Sequence, residues 1–130
     1  MHTTENKMIK VLVVDDNGDI CNMVQTLLAI DGYRVITCVN PMIVREMIRK
    51  EKPDLLITDM LMSGVDGRTL IRELRADGET KNLKIIMMSA HPAALKHSEE
   101  SGSDDFIAKP FDYADLNAKV RALTEKLSTQ

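Results

Sequence analysis

The chain has 130 residues, of which 44% are hydrophobic and 28% charged, the composition of one ordinary globular domain rather than a disordered, fibrous or membrane protein. A net charge of -3, with lysines and arginines spread along the chain, excludes a general attraction to nucleic acid. No segment reaches bilayer-crossing length and residues 1–7 carry no signal-peptide pattern, so the expectation is a disordered tail at 1–7, one domain at 8–128, and a soluble cytoplasmic protein with no membrane partner.

Taken in order, the chain alternates short β-branched or leucine-rich runs with longer stretches whose apolar residues lie three and four apart. The first run, 9–14, ends at Asp15 and Asp16. A helical stripe of Ile20, Met23, Val24, Leu27 and Leu28 follows, with Gly32 placed to end it. The second run is 34–38, and Ile43, Val44, Met47 and Ile48 mark a second helix that Pro53 terminates. The third run, 54–58, leads to Asp59, and Leu70, Ile71 and Leu74 mark a third helix ahead of Gly78. The fourth, 83–88, leads to Ser89, and residues 92–101 form a helix poor in apolar content, expected to be loosely held, with Gly102 after it. The fifth, 105–108, leads to Lys109 and Pro110. A last helix carries Leu116, Val120, Leu123 and Leu127, with Asp112 as its cap. Continuous apolar strands joined through helices predict a doubly wound α/β domain on a five-stranded parallel sheet with right-handed crossovers. The chain stops soon after the last helix, so the expectation is that it carries no output domain. Cys21 and Cys38 lack metal-ligand spacing and read as small buried hydrophobes in a reducing compartment.

Ligands of open parallel α/β sheets sit beyond the carboxyl ends of the strands, where strand order reverses. Those ends carry Asp15, Asp16, Asp59, Ser89 and Lys109. Clustered carboxylates raise one another's pKa unless a cation neutralises them, and an all-oxygen set suits Mg²⁺, which leaves ligand positions for a phosphoryl group. A carboxylate can itself take phosphate as an aspartyl phosphate, the role expected of Asp59. Lys109 and Ser89 are suited to balance the charge that develops on the phosphoryl oxygens. Singly, each of these residues has a plain structural reading as a cap, a turn former or a surface charge. Together they point to phosphoryl chemistry. No P-loop or dinucleotide fingerprint is present, and the acidic first loop argues against a flavodoxin-like cofactor protein.

These residues resemble the receiver domain of two-component response regulators, from about Ile9 to Leu127. The resemblance rests on the strand leading into Asp15 and Asp16, the loop from Asp59 to Gly67, the run from Met87 to Ala90, and the run from Phe106 to Phe111. It implies a (βα)5 flavodoxin-like fold with strand order 2-1-3-4-5. It also implies phosphorylation of Asp59 by a histidine kinase or histidine phosphotransfer protein, with Mg²⁺ on Asp16, Asp59 and the Leu61 backbone carbonyl, and Asp15 helping to position the ion. Ser89 and Phe106 would form the conformational switch, Lys109 would hold a phosphoryl oxygen, and the Lys109-Pro110 peptide would be cis. A downstream protein target and a phosphorylation-dependent dimer belong to the same expectation, and the chain would catalyse only its own phosphorylation and dephosphorylation. Ser63 stands where the family often has proline, which is expected to loosen that loop without removing a ligand. Leu61 and His91 occupy positions that tune dephosphorylation; an apolar side chain cannot orient water, which implies a long phosphate lifetime, and His91 reads first as an exposed loop histidine. Two other readings compete. An aspartate-nucleophile phosphatase would need a second aspartate where Leu61 stands, and a non-phosphorylated interaction module would not need Asp15, Asp16, Asp59, Ser89 and Lys109 together.

Overall fold

The computed structural model describes residues 8–91 and 93–128, so the tail expected at 1–7 lies outside the described residues. The chain runs β1 (Lys10–Val14), α1 (Gly18–Ile30), β2 (Arg34–Cys38), a 3₁₀ turn (Pro41–Ile43), α2 (Val44–Glu51), β3 (Leu55–Asp59), β4 (Leu61–Met62), β5 (Val65–Asp66), α3 (Gly67–Ala76), β6 (Lys84–Ser89), α4 (Ala94–Ser101), β7 (Asp105–Ala108) and α5 (Tyr113–Ser128). Five strands make one parallel sheet in the order β2-β1-β3-β6-β7, while β4 and β5 form a separate two-stranded hairpin. Set the hairpin aside and the order is the 2-1-3-4-5 of the flavodoxin-like fold.

The two-residue period of a strand sorts the core into two layers. Val11 and Val13 of β1, Leu55 and Ile57 of β3, and Ile86 and Met88 of β6 meet α1 and α5 through Cys21, Val24, Leu28, Leu116 and Val120. Leu12, Val14, Leu56, Ile85 and Met87 face the other way, onto Val44 and Ile48 of α2 and Leu70, Ile71 and Leu74 of α3. Because both strand faces are covered, the central strands read as unbroken apolar runs. Each fully buried leucine or isoleucine contributes about 1.5–3 kcal/mol, which fixes the register that aligns the strand ends. Strand order reverses between β1 and β3, since the chain builds outward from β1 to β2 and then crosses back. The carboxyl ends of those two strands carry Asp15 and Asp59.

Local signals act where they are expected, with some exceptions. Asn17 caps α1 by accepting from the Asp19 and Ile20 amides, and Asp112 caps α5 by accepting from the Asp115 amide at 2.8 Å. Gly32 and Gly102 take the left-handed conformation after α1 and α4. Gly78 does not; α3 ends one residue earlier on Asp77 in an extended conformation, whose side chain accepts from the Glu79 amide. Before Pro53 the left-handed position is taken by Lys52, at φ 49°. Ile43 falls in the 3₁₀ turn and Met23 is partly exposed, so each apolar stripe loses one member to the surface. Both cysteines are free and buried. Among the described residues, no helix is long and apolar enough to cross a membrane.

Candidate functional site

The acidic site is assembled by backbone placement before any side chain acts. β3 carries Asp59 to the rim of the sheet, and beyond it the Met60 amide donates to the Met88 carbonyl at 3.0 Å, extending the ladder one residue. The Gly67 amide returns to the Met60 carbonyl at 2.7 Å. A Cβ at Gly67 would collide with the Asp59 carbonyl oxygen and crowd the Met60 backbone, so only glycine lets α3 start this close to Asp59. The hairpin between them, 61–66, was not legible as strands in the sequence. It turns through Ser63 and Gly64, the latter at φ 77°, and pairs Leu61 with Asp66 and Met62 with Val65.

Asp15, Asp16 and Asp59 converge, each offering one carboxylate oxygen within 4.8 Å of the others. Asp15 and Asp59 are buried and Asp16 is exposed. Lys109 spans the two buried carboxylates, its Nζ lying 2.8 Å from Asp15 Oδ2 and 3.2 Å from Asp59 Oδ1. Asp15 is further occupied by the Asn17 amide, which donates to Oδ1 at 2.9 Å. Asp16 accepts from both the amide and the hydroxyl of Ser63, at 2.8 and 3.0 Å, on the same Oδ2 atom. The expectation that Ser63 loosens its loop is therefore reversed, because serine supplies two donors where proline would supply none.

The electrostatics divide the carboxylates. Burial, then the Asp15 charge, pushes the Asp59 carboxyl above its ordinary range, with Lys109 only partly offsetting them. The Ser63 amide and then its hydroxyl hold Asp16 below that range. Burial opposes the Lys109 ammonium most, yet the Asp15 hydrogen bond and the Asp59 and Asp15 charges outweigh it and raise the lysine. Three carboxylates against one ammonium leave an excess of negative charge, and an oxygen-only donor set of this kind fits a hard divalent cation.

The remaining sequence-predicted residues lie on β6, on β7, in the loop after β6 and on the hairpin strand β4. Ser89 is buried at the end of β6, and its hydroxyl accepts from the His91 amide at 2.8 Å. The Lys109 amide donates to the Ser89 carbonyl at 2.9 Å, and the Lys109-Pro110 peptide is cis. Phe106 pairs with Met87 across the β6–β7 ladder, so Ser89, two residues beyond Met87, shares its face of the sheet. The Phe106 ring is half-buried against the α2–α3 layer, with the Lys119 ammonium 5.6 Å from its centroid. Leu61 is 55% exposed beside the site. His91 is exposed, and its Nδ1 accepts from the Ala93 amide at 3.0 Å, which makes it a local loop anchor.

Comparisons with known proteins bear on the family and the fold. A family model described as the response regulator receiver domain matches residues 11–121. The chain is 36% identical over 124 residues to a protein of Porphyra purpurea described as probable transcriptional regulator ycf27, covering 94% of this chain and 50% of that protein. It is 31% identical over 121 residues to the DNA-binding dual master transcriptional regulator RpaA of Synechocystis, covering 92% and 50%. The chain thus spans about half the length of these curated relatives. Among solved structures, a response regulator of Chloroflexus aurantiacus superposes with a TM-score of 0.87 at 32% identity, covering 92% of this chain and 99% of that one.

Proposed function

The chain belongs to the response regulator receiver domain family, and from that membership we propose that it is a phosphorylation-controlled switch whose phosphoacceptor is Asp59. The observation that carries this reading is the convergence of Asp15, Asp16 and Asp59 around the Lys109 ammonium at the topological switch point. An Asp59 carboxylate oxygen attacks the phosphorus of a phosphorylated histidine, on a histidine kinase or phosphotransfer protein, or of a small acyl phosphate. The P–N or P–O bond breaks, its electron pair leaves with the imidazole or carboxylate, and Asp59 becomes a mixed anhydride. Asp16, Asp59 and the Leu61 carbonyl, with Asp15 beside them, would hold Mg²⁺, which would supply charge neutralisation of the phosphoryl oxygens when bound.

This chain's own groups do the rest. Lys109 already bridges Asp15 and Asp59, so a short shift of its Nζ exchanges the Asp59 carboxylate for a phosphoryl oxygen while Asp15 keeps hold of it. The Ser89 hydroxyl turns its proton to another phosphoryl oxygen, and Phe106, on the same sheet face, takes up the space vacated. A single new charged group thereby makes different contacts in two states and shifts their populations. Leu61 has no polar group to orient a water toward the anhydride and His91 Nδ1 is engaged by Ala93, so dephosphorylation is slow.

The chain acts in the cytoplasm, on phosphoryl transfer to itself alone rather than as an enzyme on external substrates. The DNA binding named for the Synechocystis RpaA belongs to that longer protein; this domain, with its net charge of -3, works through protein contacts. Intact-mass measurement after incubation with acetyl phosphate and Mg²⁺ tests the proposal. The wild type gains the mass of one phosphoryl group and Asp59→Asn gains none; an unchanged wild-type mass would overturn it.

A further inference from the structure

Ser63 makes contacts that the phosphoryl chemistry above does not use. Its amide and hydroxyl both donate to Asp16 Oδ2, across a sequence separation that joins the β1–α1 loop to the β4–β5 hairpin. Those two segments carry Asp16 and Leu61, two of the groups assigned to the cation. The clamp coexists with the convergence of one oxygen each from Asp15, Asp16 and Asp59 within 4.8 Å, so it is made in the ligand-presenting arrangement. An ionised carboxylate offers about four lone-pair positions, and two donors on one oxygen leave the other oxygen for a metal. Asp16 is exposed, unlike buried Asp15 and Asp59, so its rotamer depends more on such hydrogen bonds.

We propose that Ser63 is a positioning residue for the divalent cation: it presets the Asp16 carboxylate and ties the Leu61 segment to it, so that Mg²⁺ binds a site already assembled. The inference rests on the receiver reading above. Hydrogen-bonded support of a ligating carboxylate is worth about 10–100-fold in metal affinity. Ser63→Ala deletes one donor, Ser63→Pro deletes both, and Ser63→Thr keeps both.

Calorimetric titration of the full chain with Mg²⁺ tests this. The expected result is a dissociation constant about tenfold weaker for Ser63→Ala, weaker again for Ser63→Pro, and close to wild type for Ser63→Thr. With acetyl phosphate as donor, Ser63→Ala raises the Mg²⁺ concentration for half-maximal phosphorylation and leaves the rate at saturating Mg²⁺ unchanged. Ser63→Ala binding as tightly as wild type overturns the clamp alone, and tighter binding reveals a competitor of the metal and overturns it too. Failure of Ser63→Thr to restore affinity also counts against it. If wild type binds no Mg²⁺, the metal part of the receiver reading falls as well, which separates the two failures.

Discussion

Helices α3 and α4 follow the two strands that deliver Asp59 and Ser89, yet they are held by different physics. α3 is capped by the Asp66 side chain and buries Leu70, Ile71 and Leu74. α4 has no side-chain cap, and its buried residues among those described are Ser98 and Ser101. The Ser98 and Ser103 hydroxyls bond each other, and Ser101 Oγ donates to the Ser98 carbonyl at 2.9 Å. Between the helices run polar links, Arg68 to His97 Nδ1 at 3.3 Å and Arg75 to the Gly102 carbonyl at 2.8 Å. Apolar burial has no alternative partner to offer, whereas hydroxyls and guanidinium groups exchange partners at little net cost. Under the proposed function, the side that would take the phosphoryl group is built to stay still, and the side that would report it is built to rearrange.

The largest expected effect breaks the fixed side. Ile71→Ala, at a position with no solvent exposure, costs about 2–5 kcal/mol of stability, whereas Ser98→Ala costs about 1 kcal/mol. Urea denaturation of both variants checks the ratio, and equal losses would erase the distinction between the helices. Gly67→Ala comes next, at about 1–3 kcal/mol, because its Cβ drives into the Asp59 backbone. It also slows phosphorylation by acetyl phosphate, since α3 can retreat only by moving Asp59 with it.

A smaller effect contrasts two carboxylates across the same pocket. The Asp59 carboxyl is raised, by burial first and the Asp15 charge second, so the folded state binds its proton more tightly than the unfolded chain does. Its ionisation therefore destabilises the metal-free fold as pH rises from the ordinary carboxylate range through the raised value, and a tenfold tighter hold on a proton corresponds to about 1.4 kcal/mol. Asp16 is lowered by Ser63 and has the opposite slope: its contribution is present above the ordinary value and lost as pH falls through the lowered one. Asp59→Asn accordingly gains metal-free stability at neutral pH and loses that advantage in acid. Thermal melts across pH check this, and added Mg²⁺ narrows the gap by stabilising the wild type more than the variant.

Much of this division was readable in advance. Apolar runs and helical stripes fix the five strands, their order once the family resemblance is added, and the poverty of α4, because these depend on periodicity summed over many residues. The convergence of Asp15 and Asp59 on Lys109 follows from strand ends alone. What escaped depends on single contacts between distant segments. The 61–66 hairpin has strands of two residues, too short for any period. Ser63 reads as a departure from a proline position, and its clamp on Asp16 is visible only when residues 47 apart in sequence are brought together. Gly78 resembles a helix stop, but the Asp77 side chain ends α3 first.

The smallest and finest test concerns motion. If α4 is the adjustable element, its amides should exchange faster than those of α3 in the metal-free protein, because the buried side chains described there are the small polar Ser98 and Ser101. If the proposed switch operates, a phosphoryl analogue such as beryllofluoride, added with Mg²⁺, would draw the Ser89 hydroxyl away from its His91 amide contact and so free the loop leading into α4. Amide exchange in residues 94–101 should then change by several-fold, while the Leu70, Ile71 and Leu74 amides of α3 stay within error. The direction follows from which contacts Ser89 gives up, and the contrast follows from what lies beneath each helix. Equal change in both helices would mean that the pocket transmits its charge through the rigid side as well, and that the serine-lined seat of α4 has no special part in the response.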